Sequence, residues 1–261
     1  MRLLDVHLHL DHPLFDKDRD DVVKRAVDSG VKVMVTNGIN PRTNRISLKY
    51  GEVYDEVKVA LGIYPTEVLV AEVEEGSQRE VVEKFDEDEE IAFIESQKDK
   101  IVAVGECGMD FYWIQEGKDK QRVLFQKMID LAKRIEKPII VHTRKAELEC
   151  VEMLEKNEMN KVLLHCFGGR LHLAKRAADN GWYLSIPPSI VRSSHFQRIV
   201  EEVNVSNLLT ETDAPYLAPG KDQRNEPTFV SETVKKIAEI KKMDANEVAD
   251  IIFMNYQRLF L

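Results

Sequence analysis

The chain has 261 residues, of which 43% are hydrophobic and 32% charged, with a formal net charge of −9. This length suits an α/β barrel with a sizeable buried core, and the composition excludes a disordered chain. The negative balance argues against a broad basic surface for duplex nucleic acid, although a single cleft can still be positive. No apolar run approaches the ~20 residues that a membrane span needs. The N-terminal stretch MRLLDVHLHL lacks the pattern of a signal peptide. Cys107, Cys150 and Cys166 are odd in number and widely spaced, which fits free thiols in a reducing compartment. A cytoplasmic protein is expected.

Taken in chain order, β-branched apolar runs alternate with amphipathic stretches. The first strand is predicted at 3–9. A helix over 16–29 follows, with Val22, Val23, Ala26 and Val27 on one face and Gly30 as its stop. Strands are predicted at 31–38 and 57–64. The long connection 66–100 carries DEDEE at 86–90. With no aromatic or basic residue to touch a ligand, that run reads as a solvated acidic helix flank in preference to a lid. Strands at 101–108, 138–143, 161–167, 182–187 and 208–213 complete the set. Between them lie helices at 119–136 and at 170–180, the second ending before Gly181. The tail 226–259 reads as two helices, with Asp244 as the N-cap of the second. Eight β-then-α units predict a (β/α)8 TIM barrel, one domain over 1–261. The alternative, an open doubly wound sheet, lacks its Gly-x-Gly-x-x-Gly fingerprint.

Six residues of metal-binding type stand at the C-terminal ends of these runs: His7 and His9, Glu106, His142, His165 and Asp213. In a barrel of this kind those ends form the catalytic face. His7 and His9 are two apart, so strand alternation turns both to the interior. A lone strand histidine is more often a hydrogen-bonded core residue, and a lone carboxylate is usually a cap or an ion-pair partner. Five strands supplying such groups at one end change those odds. Four imidazoles and two carboxylates suit one or two divalent ions. Cys107 and Cys166 directly follow two of the six, so alternation points them toward the helix layer. His12 reads as a loop residue; His172 and His195 have helix-like surroundings and no assigned role.

The motifs HLHLD, GECGMD (105–110), HTR (142–144), HCFGG (165–169), ETDAPYLAP (211–219) and RNEP (224–227) occur in order along the chain. In combination they resemble the TatD family of metal-dependent hydrolases, within the amidohydrolase superfamily. The resemblance implies a TIM-type barrel with one or two divalent ions. It implies that His7, His9 and Asp213 bind the first, that His142 and His165 bind the second, and that Glu106 bridges both. It also implies deoxyribonuclease activity. The sequence departs from the family pattern at Tyr64, Lys145 and Gly168, where the family often has His, Asp and Ser or Thr. None of these three is an expected ligand.

Two divalent ions against two carboxylates leave a pocket of about +2, which favours an anionic substrate such as a phosphodiester. Zn, Mn or Mg would lower the pKa of a bound water from 15.7 to ~7. Asp213, with Glu106, is the expected catalytic carboxylate. Arg144, Arg224 and Lys221 lie past strand ends, where phosphate contact competes with surface ion pairing. Tyr64 is expected to stack on a base or bond to substrate, or else to pack on Pro65 at the rim. DNA is the leading substrate. A small phosphoester, lactone or amide is the alternative, followed by a non-catalytic metal-bound scaffold.

Overall fold

The apolar runs form eight parallel strands that take their neighbours in chain order: β1 (Leu3–Leu8), β2 (Val31–Gly38), β3 (Val57–Leu61), β4 (Ala103–Asp110), β5 (Ile139–Arg144), β6 (Val162–Leu164), β7 (Tyr183–Ile186) and β8 (Leu208–Thr210). A computed structural model describes residues 1–67, 69, 84–113 and 117–261 of the chain. Each strand pairs in parallel with the next. At the seam between β1 and β8, the Asp213 N–H donates to the His7 carbonyl at 2.8 Å. The Thr210 hydroxyl donates to the Leu4 carbonyl at 2.6 Å. The architecture is a (β/α)8 barrel, and sequential strand order rules out the doubly wound sheet.

Helices α1 (Arg19–Asp28), α2 (Pro41–Val53), α3 (Glu87–Ser96), α4 (Lys118–Arg134), α5 (Glu147–Lys156), α6 (Leu171–Asp179), α7 (Ser194–Glu202), α8 (Val230–Lys241) and α9 (Ala245–Phe260) complete the described elements. Each turns one stripe inward. On α4, Leu124, Phe125, Met128, Leu131 and Ala132 recur at helical spacing and are buried. Burying one such Leu or Phe side chain contributes ~1.5–3 kcal/mol. Asp244 starts α9 by accepting from the Asn246 and Glu247 N–H groups, a cap worth ~1 kcal/mol. The acidic run 86–90 is less solvated than expected. Asp86 caps α3, Glu87 and Asp88 pair with Lys127 of α4, and Glu90 is buried against Asn44 and Arg45. Residues 68 and 70–83, where a lid would mostly fall, lie outside the described residues.

Three strands end three residues earlier than their apolar runs predict, β3 at Leu61, β6 at Leu164 and β8 at Thr210. After β6 and β8 the backbone turns through left-handed conformations, with φ of +42° at Cys166 and +54° at Asp213; Lys145 beyond β5 has φ +59°. His165 and Asp213 therefore stand on the first loop residues at the barrel mouth. Gly108 in β4 holds φ +139°, and an added Cβ would lie 2.1 Å from the His142 carbonyl oxygen. Only glycine lets β4 approach β5 this closely beside His142.

Candidate metal centre

Alternation along β1 stacks Asp5 and His7 inside the barrel, both with no exposed surface, and His9 follows at the mouth. The structure gathers all six ligand-type side chains around one carboxylate. Glu106 Oε2 lies 3.4 Å from Nε2 of both His7 and His9. Glu106 Oε1 lies 3.1 Å from His142 Nδ1 and 3.0 Å from His165 Nε2. Asp213 Oδ1 completes the first group, 3.7 Å from His7 Nε2 and 3.4 Å from His9 Nε2. One oxygen of Glu106 thus faces each group.

This donor set fits a cation. His7 is fully buried, yet neither of its ring nitrogens has a hydrogen-bond partner, and His165 Nδ1 is likewise orphaned. Orphaned buried polar atoms are costly, and a cation held between them would pair them. The triads His7–His9–Asp213 and His7–Glu106–His165 each have ligand atoms close enough to share an ion. The titration pattern points the same way. Burial raises the Glu106 carboxyl, but the imidazoles of His165, His7 and His142 outweigh it and hold the group well below the carboxylate range. Burial lowers the His9 imidazole, yet Asp213, Glu106 and Asp11 push it up to about 9. Burial likewise opposes the charged form of His165, which Glu106 and Glu211 drive well above its usual value. The carboxylates thus favour positive charge at His9 and His165, whereas burial and the neighbouring His165 lower the His7 imidazole.

Four buried polar residues that the sequence left without a role support the six. Asp110, at the end of β4, places Oδ2 3.0 Å from His142 Nε2. Its Oδ1 accepts from the Tyr112 and Trp113 N–H groups at 2.9 and 3.0 Å. A proton held on Nε2 by this carboxylate would leave the Nδ1 lone pair for a cation bound beside Glu106. Glu211 stands 3.6 Å from His165 Nδ1 and is bonded by Ser185 at 2.7 Å. The Asn37 carbonyl lies 3.2 Å from His9 Nδ1. Asp5 accepts from the His7 and Thr212 N–H groups at 3.2 and 2.9 Å, and burial pushes its carboxyl up to about 8. A signal existed for three of them. Asp5, Asp110 and Glu211 each stand an even number of residues from a ligand-type residue, in phase for the same face.

Other expected site residues are placed differently. Tyr64 is not at the rim. It is buried, its ring lies 4.8 Å from the His142 ring, and its hydroxyl donates to Asp110 Oδ2 at 3.0 Å. Arg224 is engaged by Asp18 at 2.6 and 2.8 Å and by the Leu14 carbonyl, so the ion-pair reading holds for it. Arg144 is exposed, has no carboxylate partner among the described residues, and lies 3.9 Å over the Tyr112 ring. Lys221 and Lys145 are exposed, and Gly168 has room for a side chain, the nearest atom being 3.8 Å from a built Cβ. Cys107 is buried beside the Ile140 carbonyl, as alternation requires. Cys166 stands two residues past the end of β6, at a φ of +42°. Alternation lapses beyond Leu164, and the thiol is pushed up by burial and by Glu211, Asp213 and Glu106, the carboxylates of the cluster. His12 is a loop residue that accepts from the Leu14 N–H. His195 lies on α7 beside the Phe167 carbonyl, and His172 lies on α6.

Known proteins match this geometry along the whole chain. The family model described as TatD related DNase matches residues 4–261. The human protein named Deoxyribonuclease TATDN3 is 36% identical over 99% of this chain and 94% of its own length. The Salmonella typhimurium protein named 3'-5' ssDNA/RNA exonuclease TatD is 29% identical over 99% of this chain and 98% of its own. The solved structure of the TatD homolog YJJV from Escherichia coli aligns with a TM-score of 0.86 at 25% identity, covering 99% of this chain and 98% of that one. The chain belongs to the TatD-related DNase family of metal-dependent hydrolases.

Proposed function

We propose that this chain, acting as one barrel unit over 1–261, is a divalent-metal-dependent deoxyribonuclease. The observation that carries the reading is the division of Glu106, one oxygen toward His7 and His9 and the other toward His142 and His165. In this reading His7, His9 and Asp213 would hold one ion, His142 and His165 would hold a second, and Glu106 would serve both. Imidazole with carboxylate favours Zn or Mn, and Mg is the harder alternative. When bound, such ions lower the pKa of a water to ~7 and neutralise charge on a phosphodiester.

The chain's own groups do the rest. Asp213 is kept ionised because His9 and the neighbouring imidazoles outweigh its burial. Its side chain remains partly exposed at the mouth, so it can take and release the proton of an attacking water. Asp110 and Tyr64 fix the His142 ring, and Glu211 faces His165 from behind. Arg144, unpaired by any described carboxylate, offers its guanidinium to a phosphate. The free cysteines support a reducing, cytoplasmic setting. Among the described residues, no helix is long and apolar enough to cross a membrane.

The test is hydrolysis of single- and double-stranded DNA by protein loaded in turn with Zn²⁺, Mn²⁺ and Mg²⁺. Strand shortening that Asp213→Asn abolishes is expected. No shortening with any ion, alongside turnover of small phosphoesters or lactones, would replace DNA with a small ester as substrate.

A further inference from the structure

Asp213 holds its place in a conformation that costs free energy. Its φ of +54° lies in the left-handed region, which is penalised in any residue that carries a Cβ. Such a residue persists where its surroundings over-determine it. The buried side chain of Asn225 supplies that constraint.

Asn225, in the RNEP motif, has no exposed surface. Its amide nitrogen donates to the Thr212 carbonyl at 2.7 Å and to the Tyr216 carbonyl at 2.5 Å. Its backbone N–H donates to the Pro215 carbonyl at 3.1 Å. Its Oδ1 accepts from the Glu226 N–H at 3.0 Å, so the bonding network fixes which end of the amide faces the loop. One side chain thus grips the chain on both sides of Asp213. Inside that grip, the Tyr216 N–H donates to the Asp213 carbonyl at 2.9 Å and closes a β-turn.

A second turn starts at another ligand of the same group. The His12 N–H donates to the His9 carbonyl at 3.1 Å. The last residues of the two turns meet. His12 Nε2 lies 3.1 Å from the Tyr216 hydroxyl, with the rings edge to face at 5.5 Å. His12 Nδ1 accepts from the Leu14 N–H at 3.1 Å, so in the neutral ring Nε2 carries the hydrogen and donates to Tyr216. This bond ties the loop after β8 to the loop after β1, one turn beyond His9 and Asp213.

We infer that Asn225 is a positioning residue for Asp213, and that the His12–Tyr216 bond is the outer tie of the same frame. Both act through the backbone around Asp213 and not on substrate. Asn225 keeps residues 212–216 in the shape that aims the Asp213 carboxylate at His7 and His9, 3.7 and 3.4 Å from their Nε2 atoms. A side chain without an NH2 group at 225 releases at least one of the two carbonyls. The inference rests on the reading of Asp213 as ligand and proton acceptor, and adds the groups that hold it there.

Asn225→Asp keeps the side-chain shape and sets an oxygen against two carbonyl oxygens. The probe is Mn²⁺, titrated by calorimetry into the chelator-stripped full chain. The step at His7, His9 and Asp213 is expected to weaken about 10- to 100-fold, and the His142–His165 step to stay within about threefold. Cleavage of DNA by the loaded variant is expected to lose about as much in kcat, with KM little changed. Tyr216→Phe keeps an exposed ring and removes one hydrogen bond, so it should weaken the first step about 2- to 10-fold. That variant decides the matter where Asn225→Asp does not fold. A first step within about threefold in folded Asn225→Asp, or an unchanged first step in Tyr216→Phe, would overturn the frame. So would equal weakening of both steps, because that marks a general structural role. Selective loss of the first step, in a protein whose unchanged form shortens no DNA, leaves the frame standing and removes the nuclease reading. DNA shortening that Asn225→Asp leaves intact does the reverse.

Discussion

Asp110→Asn isolates the support of one metal ligand. In the native side chain, one oxygen accepts two backbone N–H groups at 2.9 and 3.0 Å. The other faces His142 Nε2 and the Tyr64 hydroxyl, each at 3.0 Å. A carboxamide has one oxygen for these two posts. If the oxygen stays under Tyr112 and Trp113, the new NH2 confronts the Nε2–H of His142, donor against donor. The imidazole then moves its proton to Nδ1, where Glu106 Oε1 at 3.1 Å accepts it. That proton occupies the lone pair meant for the second ion. Loss of such an orienting carboxylate costs ~10–100-fold in metal affinity, or about 1.4–2.7 kcal/mol. Calorimetric titration of chelator-stripped protein with Mn²⁺ should show the His142–His165 step weakened by that factor. The step at His7, His9 and Asp213 should be preserved, because Asp110 touches none of them. Tyr64→Phe keeps the Asp110–His142 bond and should shift the same step less. A second step within about threefold of the unchanged protein would refute the tautomer argument.

Three other outcomes follow from the geometry. Because His9 is held at about 9 without metal, it is protonated at neutral pH, and an ion must displace that proton. Metal affinity should therefore rise with pH up to about 9, with proton release detectable from the buffer dependence of the binding enthalpy; no release at neutral pH would contradict it. Gly108→Ala would push a Cβ against the His142 carbonyl at a φ that L-residues avoid. A loss of at least ~2 kcal/mol on thermal unfolding is expected, together with weakened metal binding, and a native melting profile would count against it. Arg224, with Arg25, holds Asp18 at about 2, below its ordinary 3.8. That pair's contribution, ~0.2–1 kcal/mol for a partly exposed bridge, is present above pH ~4 and fades as pH falls toward 2. Asp18→Asn should flatten this acid limb in urea titrations.

Much of the barrel was legible because its strands are buried on both faces and so read as unbroken apolar runs. Convergence of the six ligand-type residues follows from parallel strands sharing one C-terminal end. What escaped the sequence lies where strand periodicity stops. Cys166 follows a strand that ends at Leu164 and takes a left-handed φ, so strand alternation does not extend to it. Arg224 was ambiguous between phosphate and carboxylate because its partner, Asp18, is 206 residues away. Tyr64 occupies the volume beside His142 because β3 ends at Leu61 and the chain folds inward over it. The stacking of Arg144 on Tyr112 needs the register of β4 with β5, which no local pattern encodes.

The seam between β1 and β8 has one more consequence. It joins positions about 206 residues apart. Bringing such distant points together costs about 5 kcal/mol of chain entropy in the simplest loop model. His7 and His9 lie on one lip of that seam and Asp213 on the other. An ion held by all three is a clasp as well as a reagent: it rewards the ring for being shut. A chelator should then loosen the junction of the two chain ends, and hydrogen exchange at the Asp213 and His9 amides would report the opening.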